Sequence, residues 1–548
     1  MPYPLPTKAE AARFLSHATL GYTSADIEAV QRLGYEAWLS QQFVAWRQTS
    51  HWDWIKAKYP EINHGISGWP YPLVNSLWRR FIEGRDQVRQ KTVFALTEIV
   101  VTSVKFYIYP WQQFMGAAYV DMLEANTFKG RYVPTSQELA TKKYPGNYRN
   151  VLQGVSTSLL MAFYLTFKGS RKAGGYSPNS RPDENYAREL LQLFTLGLFK
   201  YERNVVNGNP IYTLTQTPTY TQEHVTELAR VFTGYEMEST GDLRYGGVID
   251  YYKKPIKMYP AYFDAGSKNF DGLMPNIPAS ATGATTDAAA QQLDMALDGI
   301  FNHDNIGPNI AKRLIQRFVT SNPSPEYLGR VADVFNGYAG TPRGDLEAVI
   351  KAILLDPSLF DEQGRRVGGL DDDAFGKLRE PVCRYAQLGR AFNLQSASGK
   401  WSVDTAANGL GQVPMMSDSV FNFFQPSYTP PNSGLAEQGL VSPEFQITNE
   451  SSVISYINFV EAAVNQGIGN NADLKIDVTP WLSKVGNPSA MVEEMNLLLA
   501  AGQLTAETIS LIGSLVNKLP FATTLQRELR IKAAVIAIMV SPQFLVQK

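Results

Sequence analysis

The chain has 548 residues, and its 50 Lys+Arg against 51 Asp+Glu leave a formal charge of −1; that balance excludes a nucleic-acid binder driven by counterion release, which needs a clustered basic surface. With 44% hydrophobic and only 18% charged residues the chain can bury a large core and is not disordered, and length alone sets a prior of three or four domains. A single cysteine, Cys383, excludes an internal disulfide and a cysteine zinc site, and five histidines (His17, His51, His64, His224, His303) leave little for a His-rich centre.

Met1 to Ala11 has no basic segment, apolar run or small-residue cleavage site, so a signal peptide is not expected there. Thr7 with Glu10 reads as a capping box opening the first helix. Ser24 is expected to cap a second helix, Ala25 to Leu33, stopped by Gly34. A third runs from Tyr35 to Trp46, followed by an aromatic, Pro/Gly-rich stretch from His51 to Pro72. Asp86 to Phe106 predicts one long helix, and Gln113 to Thr127 and Tyr148 to Phe167 two central ones. Lys168 to Arg181 reads as a surface loop. Pro182 then opens a helix that runs to Leu196 and stops at Gly197. Tyr201 to Tyr220 predicts a hairpin, Thr221 caps a helix over Gln222 to Phe232, and Glu236 to Gly272 reads as a small sheet or a long structured loop.

A second helical block covers Ala288 to Asn302, Gly307 to Val319, Glu326 to Asn336 and Leu346 to Leu355. Gly364 to Asp373 reads as a loop, Ala374 to Asn393 as a helix and Gly399 to Pro431 as irregular. Glu444 to Gln466 and three helices near 489–500, 505–517 and 524–540 close the chain. The longest apolar run near the end, Ala533 to Val540, falls short of the about 20 residues of a membrane span. The expected fold is mainly α: a large multi-helix single body with a small β insertion and long irregular loops. Within this one unit, 1–199 and 276–548 are helical blocks and 200–275 is the insertion.

Pro182 to Leu191 is the densest polar cluster in an apolar frame. Glu184 and Arg188 are four residues apart and share a face, whereas Glu189 lies about 140° round the helix from Glu184. One reading is a capped helix start with one ion pair. The other makes Glu184 or Glu189 a general acid/base or metal ligand oriented by Arg188. Catalytic candidates are therefore Glu184, Glu189 and Arg188, with Asp183, Asn185, His224, Asp264, Trp52 and Trp54 as binding candidates. His224 is expected at the surface, His303 as a cation at a helix C-terminus, His17 in the core or a cleft, and Cys383 as a buried thiol. The signatures of zinc proteases, serine hydrolases, phosphate loops and dinucleotide folds are absent. Nothing identifies a metal or cofactor. Aromatic residues on helices (Trp38, Trp46, Phe94, Phe194) read as core. Those at His51 to Trp54, Trp69 to Tyr71, Tyr251 to Tyr252 and Phe421 to Tyr428 read as lid packing or as platforms for sugar rings or partner peptides.

Several segments resemble the bacterial domain-of-unknown-function 1800 family. They are Ala11 to Gly21 (AARFLSHATLG), Arg89 to Ser103 (RQKTVFALTEIVVTS), Arg181 to Leu198 (RPDENYARELLQLFTLGL) and Tyr220 to Tyr235 (YTQEHVTELARVFTGY). At Phe263-Asp264 the family usually has His-Asp. His303 to Pro325, Arg343 to Pro357, Lys377 to Pro381, Leu410 to Pro431 and Ser442 to Asn449 extend the likeness over nearly the whole chain. The resemblance implies no established activity. It implies a periplasmic or extracellular location, since members are commonly exported and paired in genomes with a sulfatase-like exported family. A non-enzymatic scaffold, binding or assembly protein is the favoured expectation, with a protein or an extracellular polymer as partner. The alternative is a carboxylate-centred hydrolase or lyase acting on such a polymer, whether polysaccharide or peptide.

Overall fold

The computed structural model describes residues 3–60, 71–105, 110–238, 249–370, 372–403 and 409–548, without the side chains of 110–112 and 249. Helices follow one another along the chain, and β structure among the described residues amounts to four two-stranded pairings and a few isolated bridges. One continuous hydrophobic cluster runs from Ala11 to Phe544. No helix among the described residues is long and apolar enough to cross a membrane.

Local signals place most helix starts. Thr7 and Glu10 form the expected capping box on Lys8–Ala18. The second helix, Ser24–Leu33, is capped one residue earlier than expected. Thr23 takes the N–H of Asp26, whose carboxylate returns to the Thr23 N–H, a reciprocal pair that Ser24 lacks the Asp/Glu spacing to make. Gly34, at φ 77°, ends that helix in a conformation that disfavours side chains.

Several predicted helices are shorter or shifted. Tyr35–Phe43 stops before Trp46. Asp86 to Phe106 becomes Gln87–Thr97, because Glu98 and Ile99 close the last turn with three-residue bonds to Ala95 and Leu96. The β-branched residues beyond leave the helix, and the Val104 N–H bonds the Met415 carbonyl instead. Tyr148 to Phe167 divides into Tyr148–Ser156 and Leu159–Tyr164, because Ser158 caps a new start. Ala374 to Asn393 is helical only from Pro381 to Ala391. Before it, Lys377–Leu378 pairs with Val546–Gln547, and Pro381 takes the first helical position, where its missing N–H costs nothing.

In the insertion, Phe199–Val206 pairs with Asn209–Pro218 as the expected hairpin. Tyr235–Glu236 pairs with Lys257–Met258, and short 3₁₀ turns occupy Ile249–Lys253 and Pro260–Tyr262. The expected alternation through Tyr245 lies outside the described residues, as do Trp69 and Pro70. The hairpin lies on the Pro325–Asn336 helix. Arg203 forks onto Asp333 (2.8 and 2.6 Å), and the Tyr212 hydroxyl donates to the same carboxylate (2.9 Å).

Candidate functional site

The 183–189 segment starts its helix later than expected. Asp183 accepts the Asn185 N–H (2.9 Å) and the Thr166 hydroxyl (2.9 Å). That side-chain turn holds Asp183 outside the helix, leaving Glu184 at the cap of Asn185–Gln192. Asn185 reaches the Thr166 hydroxyl at 3.4 Å. Tyr186 anchors the helix from below, packed on Phe167 and Phe232 at centroid distances of 4.5 and 4.7 Å, with its hydroxyl 2.7 Å from Ser156.

Glu184 is surrounded by donors. Arg188 (3.0 Å) and Gln222 (2.7 Å) donate to its Oε2, and Thr226 (2.8 Å) donates to Oε1. The ion pair is one-third exposed, so solvent screens it. Glu189 points the other way and is buried. Burial raises its carboxyl above the ordinary range, and its Oε2 has no hydrogen-bond partner among the described residues.

His224 is buried, not at the surface, because its ring completes a capping box. Its Nδ1 accepts the Thr221 N–H (3.2 Å), and its Nε2 lies 3.2 Å from the Asp271 carbonyl. Asp264 takes the forked Arg230 guanidinium (2.8 and 3.1 Å) and the Gly266 N–H (2.9 Å). Burial opposes its ionisation, but these donors hold its carboxyl below the usual range. Helix Gln222–Val231 thus meets Glu184 through Gln222 and Thr226, and Asp264 through Arg230. Phe263, where the family usually has histidine, is a buried core ring.

Trp52 and Trp54 lie on a helix, His51–Lys58, and are buried, not on an exposed loop. Trp52 packs on Phe114, and Arg79 covers Trp54 at 5.2 Å. His303 is not set up as a cation, because its Nδ1 accepts the Asn305 N–H (3.1 Å) and burial lowers its pKa. His17 is a buried residue as expected, 2.8 Å from Arg366, with burial and that guanidinium keeping it neutral. Cys383 is half-buried, its sulfur 3.5 Å from the Lys91 ammonium, and burial raises its pKa.

None of the catalytic or binding candidates lines either of two neighbouring cavities, but residues of the Phe421 to Tyr428 stretch, read as lid or platform, line both. A cavity of about 360 Å³ is lined by Lys105, Gln412, Asp418, Asn422 and Phe424 among others. A second, of about 280 Å³, opens between the hairpin root and helix Ile306–Phe318, at Leu198, Phe199, Asn309, Lys312 and Arg313. Phe421 and Gln425 line both, so the two lie side by side as a two-part groove. Phe421, Phe199, Leu198 and Leu214 stand 40–51% exposed along it.

Directly behind the first cavity lies a buried charged network. Gln412 Nε2 donates to Glu98 Oε1 (3.2 Å) and to Glu380 Oε2 (2.7 Å). Arg317 approaches the other oxygens of the same two carboxylates, at 3.2 Å from Glu98 and 3.5 Å from Glu380. Lys377 pairs with Glu380 (3.4 Å) and with Glu444 (3.0 Å). Arg317 also stacks on Phe424, 4.4 Å from its ring. Burial and the facing Glu380 push Glu98 up to about 8, whereas Lys377 and Arg317 overcome burial and hold Glu380 down at about 2. The pair therefore shares one proton at neutral pH.

Sequence reasoning did not single out Glu98, Arg317, Lys377 or Glu444. The available signal is a lone carboxylate in an apolar run, as in Leu96-Thr97-Glu98-Ile99-Val100. The partners come from segments hundreds of residues away, which periodicity does not reveal.

A family described as a protein of unknown function, DUF1800, matches residues 13–546. The chain belongs to this family. The match takes in the 183–189 segment, both walls of the groove and every member of the buried network. No curated protein and no solved structure matches this family member.

Proposed function

We propose that this family member is a non-enzymatic binding or assembly protein, and that its groove holds a stretch of a neutral, extended glycan. The carrying observation is that Phe421 and Gln425 line both cavities, which sets the two side by side. Exposed rings such as Phe421 offer flat faces to sugar C–H groups, and Gln425, Gln446 and Asn309 offer amides to hydroxyls. Lys105 and Asp418 at the rim pair with one another, so neither demands a charged ligand. The polar cluster around Glu184 is a brace in this reading. Its carboxylate is filled by its own neighbours and ties the helix start to Gln222–Val231.

The test is calorimetric titration of the full chain with a panel of neutral oligosaccharides. Phe421→Ala is expected to weaken the best ligand about tenfold, or about 1.4 kcal/mol, without lowering Tm. Absence of glycan binding by the wild type, or equal affinity in the variant, sinks the reading. Preference for extended peptides over every glycan would assign the groove to a protein partner.

One observation favours the hydrolytic alternative. Glu98 keeps its proton at neutral pH directly behind the cavity wall formed by Gln412 and Asn422. A protonated carboxyl beside a carboxylate is the arrangement that general acid–base hydrolysis uses. Release of shorter chains from a bound polymer, abolished in Glu98→Gln with binding retained, would establish it.

A further inference from the structure

Four helices converge on a cluster away from the groove. His51 opens His51–Lys58, Ser76 and Arg80 belong to Pro72–Glu83, Gln90 to Gln87–Thr97, and Asp121 and Glu124 to Pro110–Thr127. We propose that His51, Asp121 and Glu124 form a divalent-cation site of the zinc class.

The side chains are arranged as ligands with their supports. His51 Nδ1 lies 2.8 Å from the Ser76 hydroxyl, which fits an Nδ1–H donor and directs the Nε2 lone pair toward the carboxylates. His51 is fully buried, and its Nε2 has no hydrogen-bond partner among the described residues. It sits 3.4 Å from Glu124 Oε1. A charge-assisted N–H···O bond is shorter, about 2.7–2.9 Å. Two ligands on a tetrahedral ion with bonds of about 2.0–2.1 Å lie about 3.3–3.4 Å apart. The 3.4 Å spacing sets the Glu124 carboxylate within range of a second ligand to an ion held by His51.

The carboxylates are oriented from outside. Asp121 Oδ1 and Oδ2 accept the His51 N–H (2.8 Å) and the Trp52 N–H (3.0 Å), which leaves each oxygen a further lone pair. Glu124 Oε1 accepts from Arg80 Nη2 (3.0 Å), Arg80 Nε (3.3 Å) and Gln90 (2.8 Å), so the oxygen left for a cation is Oε2, to which no hydrogen bond is found among the described residues. One ligand atom from each of the three residues lies within 4.8 Å of the others. Asp121 is half-buried, whereas His51 and Glu124 are buried. Three protein ligands of N and O type leave a fourth position for water.

The experiment strips the full chain with a chelator, then titrates Zn²⁺ alone by calorimetry, with metal content checked by elemental analysis. One zinc per chain is expected, with affinity reduced at least about tenfold in His51→Ala and Glu124→Gln and by a smaller factor in Ser76→Ala. If the variants fail to fold, cobalt substitution in the wild type decides: a four-coordinate site gives intense visible absorption, and its absence overturns the proposal. The proposal is equally overturned if the wild type binds no stoichiometric zinc, which leaves His51 as an ion-pair partner of Glu124, or if zinc binding is unchanged in His51→Ala.

Discussion

Glu98 and Glu380 are both buried, yet they titrate in opposite directions, because Lys377 sits beside one and not the other. This has a definite consequence for stability. The folded state holds the Glu98 proton to about 8, whereas the ordinary value is 4.5. Between those values the folded state binds more protons than the unfolded one, so this group makes stability fall as pH rises through that window. Glu98→Gln is expected to flatten that slope in denaturant midpoints measured across the window. A slope unchanged in the variant would mean that another group titrates. Glu380 acts in the opposite sense, contributing stability that is lost only as pH falls from 4.5 toward about 2. Residue identities made single features legible, such as the Thr7 box and a core role for His17. They did not reveal the burial of His224, because a first-turn histidine is a surface residue unless another segment, here Asp271, covers it.

At the scale of elements, the hairpin and the Pro325–Asn336 helix depend on close backbone approach. A Cβ at Gly329 would lie 1.8 Å from the Pro210 carbonyl oxygen, so any side chain there must push the hairpin away. Gly329→Ala is expected to destabilise the protein by about 1–3 kcal/mol despite the better helix propensity of alanine. Denaturant unfolding measures the loss, and faster proteolysis within 199–218 would locate it. An unchanged midpoint would show that the contact relaxes freely. Element type was legible for most segments, with the helices His51–Lys58, Pro72–Glu83 and Ser136–Thr141 as exceptions, and ends were less so. Gln87–Thr97 stops where tertiary bonds such as Val104 to Met415 capture the backbone, and no cap in the sequence announces that point.

For the whole molecule, the final strand closes the buried network. Val546–Gln547 pairs with Lys377–Leu378, and Gln547 Nε2 donates to the Phe318 (2.8 Å) and Val319 (3.3 Å) carbonyls. Deleting residues 546–548 leaves those carbonyls unpaired, at a cost of about 1–3 kcal/mol. We expect the deletion to lower the melting temperature while helix content is retained. We also expect the wild type to unfold in one transition, with far- and near-ultraviolet dichroism coinciding, because one hydrophobic cluster spans the chain. Two separated transitions would instead point to independent blocks.

The amino-acid sequence by itself determined the mainly helical class, the hairpin near 200–218, the order of most helices and membership of the family. These follow from spacing, caps and local composition, which act over a few residues. Only the tertiary structure decided which polar groups share a site. Glu184 gained its partners from Gln222 and Thr226, Trp52 and Trp54 turned into the core, and Glu98 met Glu380, Arg317 and Gln412 across up to 314 positions of chain. Burial and through-space charge set those pairings, and neither has a period that a linear pattern can carry.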